Sequence, residues 1–116
     1  MKNFSLIIIA ILAINITSIA QEKESKTEKI EIKTSAVCSM CKERIEHDMA
    51  FEKSVKSVEL NLKTKIVTIE YRRDKTDPEK LRKAISAIGY DADNVEADPK
   101  AYEKLPACCK KDAPPH

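Results

Sequence analysis

V-C-S-M-C-K-E-R-I-E-H-D-M, residues 37–49, is where the chain changes its period. Before it, Glu28 to Val37 alternates, with Ile30 and Ile32 on one face and charged residues opposite, the pattern of a half-buried strand. From Cys41 onward the apolar positions are Cys41, Ile45 and Met49, one stripe of a helix of about three turns. Phe51 and Val55 are expected to close that apolar face. The pair Cys38 and Cys41 therefore sits on a strand-to-helix junction, Cys38 on an exposed loop and Cys41 in the first helical turn. Unpaired backbone N–H groups and the positive end of the helix dipole favour thiolate over thiol there. Lys42 and Arg44 are expected to add positive charge. A C-x-x-C pair serves redox dithiols, zinc sites, soft-metal clamps and disulfides alike, so the two residues alone leave the chemistry open.

Outward from this junction the pattern continues in short elements. Val58, Leu60 and Leu62 alternate with Glu59 and Asn61; after Lys63-Thr64-Lys65, Val67, Ile69 and Tyr71 alternate with Thr68 and Glu70. Two alternating runs with a short polar link read as an antiparallel hairpin, and the absence of glycine predicts more than a two-residue loop. Asp77-Pro78-Glu79 is a helix start: an Asp cap, a proline at the first position, an acid in the first turn. Leu81, Ala84, Ile85 and Ile88 follow at helical spacing, and Gly89, the one glycine in the chain, ends the helix where a left-handed residue is cheapest. Asp91 to Ala97 is expected to supply a last strand. The order β-α-β-β-α-β predicts an α+β, ferredoxin-like sandwich: a four-stranded antiparallel sheet with two helices on one face. Asp98-Pro99 is expected to start a short helix through Leu105, followed by a mobile tail holding Cys108 and Cys109.

The 116 residues allow one small domain. Met1-Lys2-Asn3, the apolar run from Phe4 to Ile14 and the small residues of Ser18-Ile19-Ala20 describe a signal peptide over 1–20. The run is too short to span a bilayer comfortably, since spanning takes about 20 residues. Residues 21–27 form a polar lead, 28–97 the domain, and 98–116 the short helix and tail. The product is expected to be exported, either periplasmic or secreted. The precursor holds 21 Lys and Arg against 19 Asp and Glu; cleavage removes one cation, Lys2, and no acid, so a net charge of +2 becomes +1. Such a mixed surface, with no Trp and few aromatics, argues against nucleic acid as a partner. No paired carboxylates, no Ser-His-Asp set and no glycine-rich phosphate loop are present, so an enzyme is not expected. The four cysteines fall in two tight clusters, Cys38 with Cys41 and Cys108 with Cys109. That layout closes no useful loops and reads as site chemistry rather than a disulfide framework.

Residues 28–97 resemble the heavy-metal-associated domain of copper chaperones, copper-ATPase N-terminal domains and periplasmic mercury-binding proteins. The resemblance rests on C-S-M-C at the first loop, V-K-S-V-E-L-N-L and I-V-T-I-E-Y in strands two and three, and D-K-T-D-P-E-K-L-R-K-A-I-S-A-I-G-Y-D-A through helix two. It implies that Cys38 and Cys41 bind the metal and that Tyr90 lies beside the site. Where the family has Gly-Met-Thr before the first cysteine, this chain has Ser35-Ala36-Val37.

The expectation is a soft-metal carrier that captures Cu(I) and transfers or sequesters it by thiolate exchange. Hg(II) and Zn(II) are the other candidate ions, since thiolates select soft metals. A metal-transporting membrane ATPase or another metal carrier is the expected partner. Two alternatives stand: a mercury carrier with the same site, and a thiol–disulfide redox protein, which lacks here the aromatic before the first cysteine and a cis-proline facing the pair. Met40 either offers a thioether or faces solvent. His47, about 9 Å along the helix axis from Cys41, is expected to be solvated. Tyr90 either screens the site or fills the sheet end. Cys108 and Cys109 are either a reactive appendage or a third and fourth sulfur for the ion.

Overall fold

Alternation along three segments builds the sheet in the computed structural model, which describes residues 26–111. The expected signal peptide and residues 21–25 of the lead lie outside the described residues. Strand β1 (Thr27–Lys33), β2 (Val55–Asn61) and β3 (Ile66–Arg72) pair antiparallel in the order β1-β3-β2. Ile30 and Val58 both face Ile69, and Ile32 and Leu60 both face Val67, so one sheet face is a continuous apolar layer. Each large side chain buried there contributes about 2 kcal/mol. Helices α1 (Ser39–Ala50) and α2 (Pro78–Ile88) cover that layer with Cys41, Ile45, Met49, Leu81 and Ile85, which share one core with the strands.

The hairpin between β2 and β3 avoids glycine as expected. Asn61 Oδ1 accepts from the N–H groups of Lys63 and Thr64, which turns the chain, and Lys65 takes the left-handed conformation at φ 63°. Leu62 is drawn into this turn and leaves the strand. Phe51, expected in the core, is 80% exposed. The helical period explains it: Phe51 follows Met49 by two residues, so it points roughly 200° away from the buried stripe and rests against the His47 ring.

Among the described residues the sheet has three strands, not the expected four. After α2 the chain makes only isolated bridges, Thr34 to Ala92 and Ala92 to Val95. Ala92 and Val95 bond each other in both directions, folding residues 92–95 into a tight turn with Asp93 at φ 52°. Asp93 then completes the edge of β1 with one backbone and one side-chain bond: its N–H donates to Lys33 O, and its carboxylate accepts from Lys33 N. A turn at this point leaves no extended segment to pair along β1.

Helix α2 begins and ends as its sequence predicts, with Asp77 accepting from Lys80 N, Pro78 at its start and Gly89 at φ 118°. The predicted short helix is present as α3 (Pro99–Lys104), capped by Asp98. Beyond α3, where a mobile tail is expected, the chain is packed. A 3-10 turn, Ala107–Cys109, brings Cys109 into the core at 1% exposure, and Leu105 is buried at 6%. Asp98 N donates to Ser86 O, Lys111 N donates to Tyr102 Oη, and the Lys111 ammonium pairs with the Asp91 carboxylate. Residues 112–116 lie outside the described residues. Among the described residues no helix is long and apolar enough to cross a membrane.

Candidate metal centre

Cys38 occupies the cap position of α1 in extended conformation, and Cys41 begins the buried stripe of that helix. Their Sγ atoms lie 3.2 Å apart. The loop between β1 and α1 is fixed from beneath by Ala36, fully buried where the family pattern has its methionine, and by Thr34, whose hydroxyl donates to Lys65 O. From the other side, Asp91 N donates to Ser35 Oγ. Cys38, expected on an exposed loop, is half-buried, and Cys41 is fully buried in the core.

The C-terminal 3-10 turn brings the second pair of cysteines to the first. Cys38 Sγ lies 3.7 Å from Cys109 Sγ, and Cys108 Sγ lies 3.9 Å from Cys109 Sγ. The ligand atoms of Cys38, Cys108 and Cys109 all fall within 4.8 Å of one another, a grouping able to hold a metal ion. Cys38 is the hub, touching Cys41 on one side and Cys109 on the other. All four thiols are free. Met40 is 48% exposed, and its thioether sits 3.7 Å from Cys108 Sγ at the solvent side of the cluster.

Electrostatics single out one sulfur. Burial opposes ionisation of Cys41, but a main-chain hydrogen bond at Val37 and the neighbouring Tyr90, Cys109 and Cys38 side chains bring its thiol below the ordinary value. Cys38 moves the other way, raised by burial and by its hydrogen bond to Cys41. Cys109 is raised by burial and by Cys41. Of these thiols Cys41 is the one whose surroundings favour thiolate, with Cys38, Cys109 and Tyr90 beside it. Such a thiolate is the form that binds metal.

Tyr90 fills the position directly after Gly89 and is completely buried. Its hydroxyl has no hydrogen-bond partner. Burial and the neighbouring Cys41 and Cys109 hold the phenol far above its ordinary range, so it stays a proton donor facing sulfur. Both sequence readings of Tyr90 hold at once: it packs the end of the core and it borders the cluster. Lys42 does not help the thiolates. Its ammonium turns to β2, donating to Leu60 O at 2.7 Å and pairing with Glu46 at 2.8 Å. His47 is exposed and paired with Asp48, as expected of a solvated residue. Sequence reasoning missed that Leu105 is buried. The apolar Leu105 ahead of Pro106 was the available signal that the segment docks.

The comparisons with known proteins come to the same region. The family model of the heavy-metal-associated domain matches residues 32–91. Among curated proteins no sequence match is found. Among solved structures, a CopZ metallochaperone superposes with a TM-score of 0.54 at 24% identity, over 56% of this chain and 98% of its own. Oxidized MerP from Ralstonia metallidurans CH34 superposes at 0.55 and 22%, over 57% of this chain and 93% of its own. The N-terminal domain of a potential copper-translocating P-type ATPase from Bacillus subtilis, in its Cu(I)-loaded state, superposes at 0.54 and 28%, over 58% of this chain and 85% of its own.

Proposed function

Since the chain belongs to the heavy-metal-associated domain family, we propose that it is an exported carrier of a soft metal ion, Cu(I) first among them, and not an enzyme. The observation that carries this reading is the Cys38–Cys41 pair, 3.2 Å apart at the start of α1, with Cys41 already biased toward thiolate. Thiolates select soft ions. Likeness to a Cu(I)-loaded ATPase domain supports copper among those ions. The ion is the cargo.

Capture releases protons from the two thiols as two metal–sulfur bonds form. Transfer proceeds by exchange: a thiolate of the receiving protein bonds to the ion while Cys38 or Cys41 lets go and takes up a proton. Of the two, Cys38 is half-buried at the loop and lets go more readily; Cys41, buried beneath it, holds on longest. The receiving protein is a metal-transporting membrane ATPase or another metal carrier. The signal-peptide pattern over residues 1–20 supports a periplasmic or secreted location.

Native mass spectrometry of the mature, reduced protein titrated with Cu(I), Hg(II) and Zn(II) tests the reading. The expected result is one tightly held Cu(I), lost when Cys38 and Cys41 are both replaced by serine. Equal Cu(I) affinity in the double variant rejects it. Preference for Hg(II) over Cu(I) in competition makes the protein a mercury carrier.

A further inference from the structure

We propose that the C-terminal turn closes the metal site: Cys109 is a third sulfur ligand beside Cys38 and Cys41, and Cys108 at the rim is the thiol through which the ion enters and leaves. This rests on the reading of Cys38 and Cys41 as a soft-metal pair and adds to it the ligand number and the route of exchange.

The sulfur–sulfur distances argue for it. Sulfurs bonded at about 2.3 Å lie about 4.6 Å apart across a linear two-coordinate ion, about 4.0 Å apart around a trigonal one and about 3.8 Å apart around a tetrahedral one. The Cys38–Cys41 distance of 3.2 Å is shorter than all three values, so this pair opens on binding whatever the ligand number. The Cys38–Cys109 distance of 3.7 Å and the Cys108–Cys109 distance of 3.9 Å are those of a three- or four-sulfur polyhedron. Cys109 therefore already stands at ligand spacing from Cys38, one member of the capture pair.

Cys109 is also held in place by more than its own sulfur. Leu105 is buried beside Gly89, where a Cβ would come within 3.2 Å of Leu105 Cγ and 3.1 Å of the Ala101 carbonyl. Beyond the turn, the Lys111–Asp91 pair and the bond from Lys111 N to Tyr102 Oη fasten the segment on its far side. The Tyr90 hydroxyl is buried beside Cys41 and Cys109 without a hydrogen-bond partner, a donor left over for the thiolates of a loaded site. Three thiolates on Cu(I) leave a surplus of negative charge. A buried donor of this kind offsets it.

Exposure assigns the remaining cysteine. Cys41 and Cys109 are buried, Cys38 and Cys108 are half-buried, and Met40 stands exposed against Cys108. On entry, a Cu–S bond forms to Cys108 as the donor's sulfur leaves. Bonds to Cys38 and Cys41 form as the donor's remaining sulfurs leave, and a bond to Cys109 then forms as the Cys108 bond breaks. At each step the proton of the incoming thiol goes to the released one or to solvent, and copper remains Cu(I) throughout. Release runs the same steps backward, so the docked turn slows loss without blocking it.

X-ray absorption on the Cu(I)-loaded full chain reads the sulfur number directly, without any variant. Three sulfurs are expected; two overturn the proposal. Cys109→Ser is expected to drop the count to two and to speed stripping by a Cu(I) chelator by about tenfold or more, the gain from a tethered third ligand. Cys108→Ser is expected to keep three sulfurs and to slow both loading and stripping severalfold. Three sulfurs in Cys109→Ser, or an unchanged exchange rate in Cys108→Ser, rejects the corresponding assignment. Cys38→Ser separates the two readings: if it abolishes tight binding while Cys109→Ser changes nothing, the capture pair stands and the closed site falls. If Cys38→Ser binds like the parent, the capture pair itself is wrong.

Discussion

Gly89 and Ala101 are in close contact: a Cβ at position 89 would meet the Ala101 carbonyl carbon and oxygen at 3.1 Å, so a neighbour would have to give by a few tenths of an ångström. The glycine that ends α2 also seats α3. Its φ of 118° adds a second constraint, because side chains rarely adopt it. Gly89→Ala is expected to cost about 2 kcal/mol in urea unfolding, combining left-handed strain with the clash. Amide exchange is expected to rise first in α3 and at Lys111, because the docked segment loses its seat before the sheet does.

Glu46 ties α1 to β2. It accepts from Leu60 N at 2.9 Å and from the Lys42 ammonium at 2.8 Å. Burial opposes its charge, but these two donors outweigh it and hold the carboxyl below its ordinary 4.5. A depressed acid contributes stability above its unfolded value, and that stability is lost as pH falls through the folded one. Glu46→Gln is therefore expected to cost about 1 kcal/mol at pH 7. At acid pH, where the parent's Glu46 is protonated as well, the difference is expected to shrink. Urea unfolding of both proteins at the two pH values checks the sign.

Cys38 and Cys41 are expected to differ in what their replacement does to the metal-free fold. Cys38→Ser changes a half-buried loop residue and is expected to stay within about 0.5 kcal/mol of the parent. Cys41→Ser puts a hydroxyl into the core and is expected to cost about 1–3 kcal/mol. Thermal unfolding of the reduced, metal-free proteins separates them; equal loss in both would mean that Cys41 is not buried in solution.

Tyr90→Phe removes a buried hydroxyl that has no hydrogen-bond partner. The metal-free protein is expected to keep its stability within about 1 kcal/mol. The metal-bound protein loses a donor to its thiolates, so chelator stripping of Cu(I) is expected to run severalfold faster. Unchanged stripping would leave Tyr90 as packing alone.

Export is expected to yield a product that begins at Gln21. N-terminal sequencing of the protein recovered outside the cytoplasm decides this, and a recovered chain that retains Met1 indicates an anchor instead.

Residues near one another in sequence were enough to determine most of the elements. The alternation of Ile30 with Ile32 and of Val67 with Ile69 and Tyr71 specifies strands, because a pleated segment buries every second side chain. Asp77-Pro78 and Gly89 specify where α2 starts and stops, because caps act within one turn. The meeting of Cys38 and Cys41 was legible for the same reason: three residues apart, they come together at one helix start whatever the rest of the chain does. Tertiary structure decided what depends on distant segments. Asp91 to Ala97 reads as a strand from composition, but a strand exists only where a neighbouring edge is paired along its length, and here the turn at Asp93 stops the pairing after one bridge. Phe51 reads as core, yet the helix phase turns it to solvent. Cys109 lies 71 positions from Cys38 in the chain and 3.7 Å from it in space. No local rule relates the two; their contact follows from Leu105 and Gly89 packing α3 against the end of the core, since burying an apolar side chain repays the ordering of a segment that sequence alone leaves free.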